Sequence, residues 1–147
     1  MISLDANLLL YAYNEDSPKH GAAFQFLGQL ALNNDVAISE FVLTEFYTLL
    51  RNPAVLVAPL SPADAVRIVE HYRRHSKWAL IGFAPDSVSL HNELWALAKR
   101  ADFSRRRIYD ARTALTLRRQ GVTDFATANV KDFKGFGFRR VWNPLDE

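Results

Sequence analysis

The sequence predicts an α/β domain with a central, mostly parallel sheet of four or five short strands, flanked by helices on both faces. Three observations carry that expectation. Short apolar runs alternate with longer stretches of helical periodicity along the whole chain. The strand-like runs are short and mostly apolar, and strands that alternate with helices form a mostly parallel sheet covered on both faces. The length of 147 residues suits one compact domain, and no repeat, low-complexity segment or linker divides residues 1–147.

The elements follow in order. Ile2–Leu4 reads as a short buried strand, and the helix after it carries Leu8, Leu9 and Ala12. Pro18 stands where a second helix would start, with Phe24, Phe26, Leu27 and Leu30 as its apolar positions. Val36-Ala37-Ile38 makes a second strand within residues 35–39, and a helix from about Glu40 stops near Arg51-Asn52-Pro53, because the residue before a proline is pushed out of helical angles. Ser61-Pro62 opens another helix as N-cap and first position. Residues 78–83 are apolar enough for a strand, and Asp86 caps a helix carrying Leu90, Leu94 and Leu97. Residues 108–119 form a further helix closed by Gly121. Residues 124–128 read as a strand and residues 140–142 as a short last one.

Composition narrows the function classes. At 49% hydrophobic and 12% aromatic residues the chain has enough apolar material for a core, which excludes disorder. No run reaches the roughly 18 apolar residues of a membrane helix, and Asp5 within an N-terminus that lacks a basic segment speaks for a buried strand over a signal peptide. The absence of cysteine removes disulfides, thiolate metal sites and cysteine nucleophiles, and it fits a reducing cytoplasm. The net charge of +2 is unevenly spread: residues 1–98 hold 6 Lys/Arg against 10 Asp/Glu, whereas residues 99–140 hold 12 against 4. A basic stretch of that kind attracts polyanions, although a solvated basic face has the same composition.

Four carboxylates stand out: Asp5 and Asp132 follow strands, at the carboxyl ends where a parallel sheet concentrates its chemistry, and Glu45 and Asp110 lie on helices. Each also has an ordinary reading. Asp5 ends the first strand where a helix begins and is a good N-cap; equally, it is a carboxylate at the sheet edge with Asn7 two residues on. Glu45 shares the helical face of Phe41 and Leu49 and is expected to turn toward the core, where an ionised carboxylate needs a cation or donors; alternatively its long side chain reaches solvent. Asp110 lies in the first turn of its helix, favoured there by the helix dipole, in line with Ala114 and Leu117. Asp132 follows the strand at 124–128 and is otherwise a loop residue; Asp124, which opens that strand, belongs at the opposite edge. Carboxylates converging on one edge repel each other unless a cation is present. An all-oxygen set without His or Cys selects Mg²⁺ or Mn²⁺, and such a site beside a basic surface suits phosphodiester hydrolysis.

These residues resemble a known family. Ile2-Ser3-Leu4-Asp5-Ala6-Asn7 with Leu8 to Ala12 resembles the opening of PIN domains. Thr44-Glu45-Phe46 with Arg51-Asn52-Pro53, Tyr109-Asp110-Ala111 with Ala114, and Thr127-Ala128-Asn129 with Asp132-Phe133 resemble the second, third and fourth motifs. The similarity runs in order over nearly the whole chain, and Trp142-Asn143-Pro144-Leu145 extends it; the nearest group is the VapC toxins of bacterial toxin–antitoxin pairs. The resemblance implies a PIN-like fold, a Mg²⁺- or Mn²⁺-dependent endoribonuclease, a homodimer, and a VapB-type antitoxin that covers the site. It carries over Asp5, Glu45 and Asp110 as metal-site carboxylates. Many relatives have an acid two residues after the threonine, where this chain has Asn129, so the fourth place lies between Asn129 and Asp132.

On this reading the carboxylates hold one or two Mg²⁺ ions, and Glu45 or Asp132 accepts the proton of the attacking water. Asn7, Thr127 and Asn129 would orient ligands or water. Lys99, Arg100, Arg105, Arg106, Arg107, Arg112 and Lys131 are the candidates for RNA phosphates. Trp78, Tyr109 and Trp142 read first as core or dimer packing and second as stacking surfaces for an unpaired base. His71 and His75 have a metal-binding spacing but flank Arg73 and Arg74, and read as an exposed helix end. Two further activities are weighed against the nuclease. A phosphatase with an Asp nucleophile wants a second Asp where Asn7 stands. A non-catalytic RNA- or protein-binding module, or a PIN nuclease of RNA maturation, would keep the same fold.

Overall fold

The structure, a computed structural model, describes residues 1–146. Five strands form one sheet: β1 (Ile2–Leu4), β2 (Val36–Ser39), β3 (Trp78–Ile81), β4 (Asp124–Ala126) and β5 (Arg140–Trp142). Their order is β3-β2-β1-β4-β5 and every pairing is parallel, since parallel neighbours require crossovers and this chain inserts helical segments between its strands. The helices are α1 (Ala6–Tyr13), α2 (His20–Leu30), α3 (Glu40–Leu50), α4 (Pro62–Arg73), α5 (Ser87–Ala98), α6 (Ile108–Arg119) and α7 (Val130–Phe133). Among the described residues no helix is long and apolar enough to cross a membrane.

The period-two alternation of strand side chains feeds two cores, one on each face. Leu4, Val36, Ile38 and Ala126 face α1 to α4, where Leu8, Leu27, Phe46 and Leu50 fill the layer. Ala37, Ile81 and Phe125 face α5 to α7, against Leu94, Leu115, Leu117 and Phe133. Helix starts are set by local chemistry. The side chain of Ser39 accepts from Phe41 N at 3.1 Å, that of Ser61 from Asp64 N at 3.3 Å with Pro62 in the first turn, and that of Asp86 from Ser89 N at 3.2 Å. Helix α6 ends at Gly121, whose φ of +98° is open to glycine at little cost.

The expected elements differ from the structure at their ends. Helix α2 starts at His20, two residues beyond Pro18, because residues 17–19 make a turn in which Ser17 Oγ accepts from Lys19 N at 3.1 Å. Phe24, expected among its apolar positions, is 65% exposed. Strand β3 stops at Ile81, before Gly82, and β4 stops at Ala126. A 3₁₀ turn at Arg105–Arg107 leads into α6, and α7 forms where the sequence reads as loop, four residues being too few to show a helical period.

For the site, the decisive feature is the strand order. From β1 the chain builds outward through β2 and β3, then crosses to the other side for β4 and β5. The carboxyl ends of β1 and β4 therefore lie side by side at the point where the order reverses, which is where open α/β sheets place their ligands.

Candidate active site

Asp5 leaves β1 at this switch point and caps α1. Its side chain is buried, 7% exposed; Oδ1 accepts from Ala6 N at 2.8 Å and Oδ2 from the Thr127 hydroxyl at 2.7 Å. Thr127 Oγ1 in turn accepts from Asn129 N at 3.0 Å, so the hydroxyl proton is directed at Asp5. Asn7 ties the same two segments, its Oδ1 accepting from Ala128 N at 3.4 Å. The expected N-cap and the expected site carboxylate are thus one residue. Burial raises the pKa of Asp5; the bonds from Thr127 and Ala6 pull the other way without cancelling it, and the charge of Asp132 adds to the rise.

Glu45 and Asp110 face each other across a cavity of about 290 Å³ between α3 and α6, lined also by Phe41, Thr44, Tyr109 and Arg112. Glu45 does not turn toward the core as its spacing from Phe41 and Leu49 suggested. Val42, Leu43, Phe46 and Leu50 make the buried stripe of α3, and Glu45, one residue or about 100° from Phe46, falls on its flank beside half-buried Phe41 and Leu49. Its carboxylate is accessible yet hemmed in: desolvation in the cavity, then the charges of Asp5 and Asp110, push its pKa up to about 7. Asp110 is half-buried and pushed up to about 6, by desolvation first and then by Asp5 and Asp132, with the Arg107 guanidinium opposing.

Asp132, in the first turn of α7 and half-buried, is the fourth member of this electrostatic cluster through its effect on Asp5 and Asp110. Asn129 is exposed and precedes α7 without a side-chain capping bond; its backbone N–H donates to Thr127 Oγ1. Among the described residues no three Asp, Glu, His or Cys side chains stand close enough to enclose a metal ion; the acids share a field rather than a ready-made cage. A second cavity of equal volume, about 290 Å³ between α2 and the chain's end, is lined by Gln25, Phe26, Gln29, Arg140, Trp142 and Pro144 and has no carboxylate. Chemistry, not size, distinguishes the first.

The basic candidates separate. Arg112 lines the acid cavity, with its guanidinium 5.5 Å from the ring centres of both Phe41 and Tyr109. Arg107 lies near Asp110 but bonds Lys134 O at 2.8 Å and covers the Phe136 ring at 4.8 Å, a strap between the start of α6 and the end of α7. Lys99, Arg100, Arg105, Arg106 and Lys131 are exposed on the loop before α6 and on α7. Arg118, Arg119 and Arg139, which swell the basic count of the sequence, are tied to Glu93 or Asp124. Of the aromatic candidates, Trp78 is core, its Nε1–H donating to Leu30 O at 2.9 Å, and Trp142 packs edge-on to Phe26 in the second cavity. Tyr109 alone reaches the acid cavity. His71 is exposed, while His75 stacks on Trp78 at 4.3 Å. Sequence reasoning missed Phe83, placed inside a strand; Gly82 before it and Ala84-Pro85 after it were the signals of a strand already ended.

A five-stranded parallel sheet of this order, with an acid after β1 and acids on α3, α6 and α7 sharing one field at its switch point, defines a class. The chain belongs to the PIN-domain family, whose profile matches residues 2–136. It is 49% identical over 145 residues to Ribonuclease VapC24 of Mycobacterium tuberculosis, covering 99% of this chain and 97% of that protein. The fold also matches the crystal structure of VapBC2 from Rickettsia felis bound to a promoter DNA fragment, at a TM-score of 0.65 and 20% identity over 97% of this chain and 98% of that one. M. tuberculosis VapC20, a sarcin–ricin-loop-cleaving toxin, matches at a TM-score of 0.61 and 20% identity over 85% and 87%.

Proposed function

We propose that this chain is a ribonuclease of the VapC type, the toxin of a toxin–antitoxin pair, which hydrolyses RNA phosphodiester bonds with Mg²⁺ or Mn²⁺. The single observation that carries the chemistry is a field of four carboxylates, Asp5, Glu45, Asp110 and Asp132, held without an ion-pair partner among the described residues and with Asp5, Glu45 and Asp110 shifted up. Full-length identity of 49% to a ribonuclease supports the substrate class.

The donor chemistry, all oxygen and negatively charged, fits a hard divalent cation, and these four side chains would hold it by drawing closer together than they stand here. When bound, the ion supplies a more acidic water and neutralises charge developing on the phosphate. Asp5 is the fixed member, oriented by Thr127 and Ala6 N. Glu45, accessible on the wall of the cavity, is placed to take up the water's proton. Arg112 and the exposed cations before α6 would receive flanking phosphates. The same reading gives the chain a VapB-type antitoxin and a homodimeric assembly.

The test is cleavage of structured RNA by the purified protein with Mg²⁺ or Mn²⁺, beside Asp5→Asn. We expect cutting that needs the metal and falls at least about 10²-fold in the variant, the scale of losing a preorganised electrostatic group. A folded Asp5→Asn protein that cuts at the wild-type rate would refute the assignment.

A further inference from the structure

We propose that a second pocket, adjoining the acid cavity, is a subsite for the base of an unpaired nucleotide next to the cleaved bond, with Arg112 gripping the phosphate between the two. The proposal deepens the ribonuclease reading and rests on it for the identity of the ligand.

Phe41 and Arg112 form the shared wall. On one side lie Glu45 and Asp110; on the other lies a pocket of about 150 Å³ whose lining includes Phe83, Ala84, Leu90 and His91. A pocket with an aromatic wall, completed by Ser87 and Thr116, thus meets the acid cavity across Phe41 and Arg112. Phe83, from the loop after β3, is 79% exposed, although a phenylalanine free to pack would be buried. It stands edge-on to Phe41, with centroids 5.0 Å apart at 77°, and so is held in place without being covered. Tyr109, at the other flank of Arg112, is 71% exposed.

Arg112 itself is held but not neutralised. The rings of Phe41 and Tyr109 each lie 5.5 Å from its guanidinium, it forms no ion pair among the described residues, and its Nε is buried without a hydrogen-bond partner. An arginine fixed by aromatic faces with donors to spare matches a phosphate. A flat, exposed aromatic next to it matches a base, whose π-face stacks whatever its identity. Both features at the edge of the acid cavity fit a polymer carrying phosphate and base in alternation better than they fit an acidic or a purely apolar peptide.

The test uses the full chain and a short single-stranded RNA with 2-aminopurine placed at successive positions, in EDTA so that binding is read without cutting. Phe83→Ala should bind about tenfold more weakly, the worth of one stacked base, and should lose the quenching of 2-aminopurine at one position. Arg112→Gln should lower the slope of log affinity against log salt by about 0.7, one phosphate contact on a single strand. Phe24→Ala, on the exposed face of α2, should match wild type. In cleavage assays Phe83→Ala should raise KM and leave kcat in place. Wild-type RNA binding and quenching by Phe83→Ala overturn the proposal, and they leave the ribonuclease reading standing if that variant still cuts RNA. Phe83-dependent binding in a protein that never cuts would keep the subsite and sink the nuclease. If Phe83→Ala instead weakens only the grip on a protein partner, the patch is a protein-docking surface and the proposal fails.

Discussion

Asp5 and Asp124 are both buried aspartates of the central strands, 7% and 6% exposed, at opposite ends of neighbouring β1 and β4. At the amino end, Asp124 receives two bonds from one guanidinium, Arg139 Nε to Oδ1 at 3.1 Å and Nη2 to Oδ2 at 3.0 Å. Burial alone would raise its pKa, but Arg139, with help from Thr123 and Arg140, outweighs that and lowers it. At the carboxyl end, Asp5 has a hydroxyl and one backbone N–H, and its nearest charges are other carboxylates. One carboxylate has been completed by the fold; the other has been left short of positive charge. A buried charge without its counterpart costs stability, and the positions where that cost persists are the ones to examine for function.

Substitutions at the two ends of the sheet should have opposite consequences. Thr127→Val keeps the shape and removes the hydroxyl that orients Asp5. Cleavage should fall about 10- to 100-fold, the scale of losing a support behind a metal ligand, with little change in RNA affinity; unchanged cleavage would mean that Asp5 needs no such support. Asp124→Asn should do the reverse. It should leave cleavage intact and cost about 1 kcal/mol in chemical denaturation, because Arg139 is largely in water and screens the pair.

The two ends should also respond to pH with opposite signs. The lowered pKa of Asp124 gives stability that is full above the unfolded value near 4 and is lost as pH falls through the folded pKa. The raised pKa values of Asp5, Glu45 and Asp110 mean that the native state binds the extra protons. Their contribution therefore declines as pH rises from about 4 toward about 7 in metal-free protein. Denaturation of Asp5→Asn from pH 4 to 8 should show a shallower decline than wild type, and Asp124→Asn should lose the wild-type drop below pH 4. Parallel curves for all three proteins would contradict the contrast.

Much of this was legible in the sequence. The apolar runs marked the strands, and Ser61, Asp86 and Gly121 marked helix ends, because capping chemistry is local. The placement of Asp5 and Asp124 at opposite edges followed from strand direction alone. The outward position of Glu45 did not, because apolar residues four apart on either side mark a face without telling its centre from its flank. Arg112 and Arg107 could not be told apart from the other cations of a basic stretch, since their roles depend on the rings of Phe41, Tyr109 and Phe136 brought from elsewhere. The pairing of Arg139 with Asp124 reaches across α7 and its flanking loops, which composition does not reveal.

Divalent-ion binding is the property that should set the carboxyl-end acids apart most directly. Titrating Mn²⁺ into wild type, Asp5→Asn and Asp124→Asn, with the free ion followed by electron paramagnetic resonance, separates the two ends of the sheet in one experiment. We expect wild type and Asp124→Asn to bind alike and Asp5→Asn to lose affinity at least tenfold. Equal binding by all three folded proteins, or loss confined to Asp124→Asn, would contradict the claim that the carboxyl-end acids are the cation site.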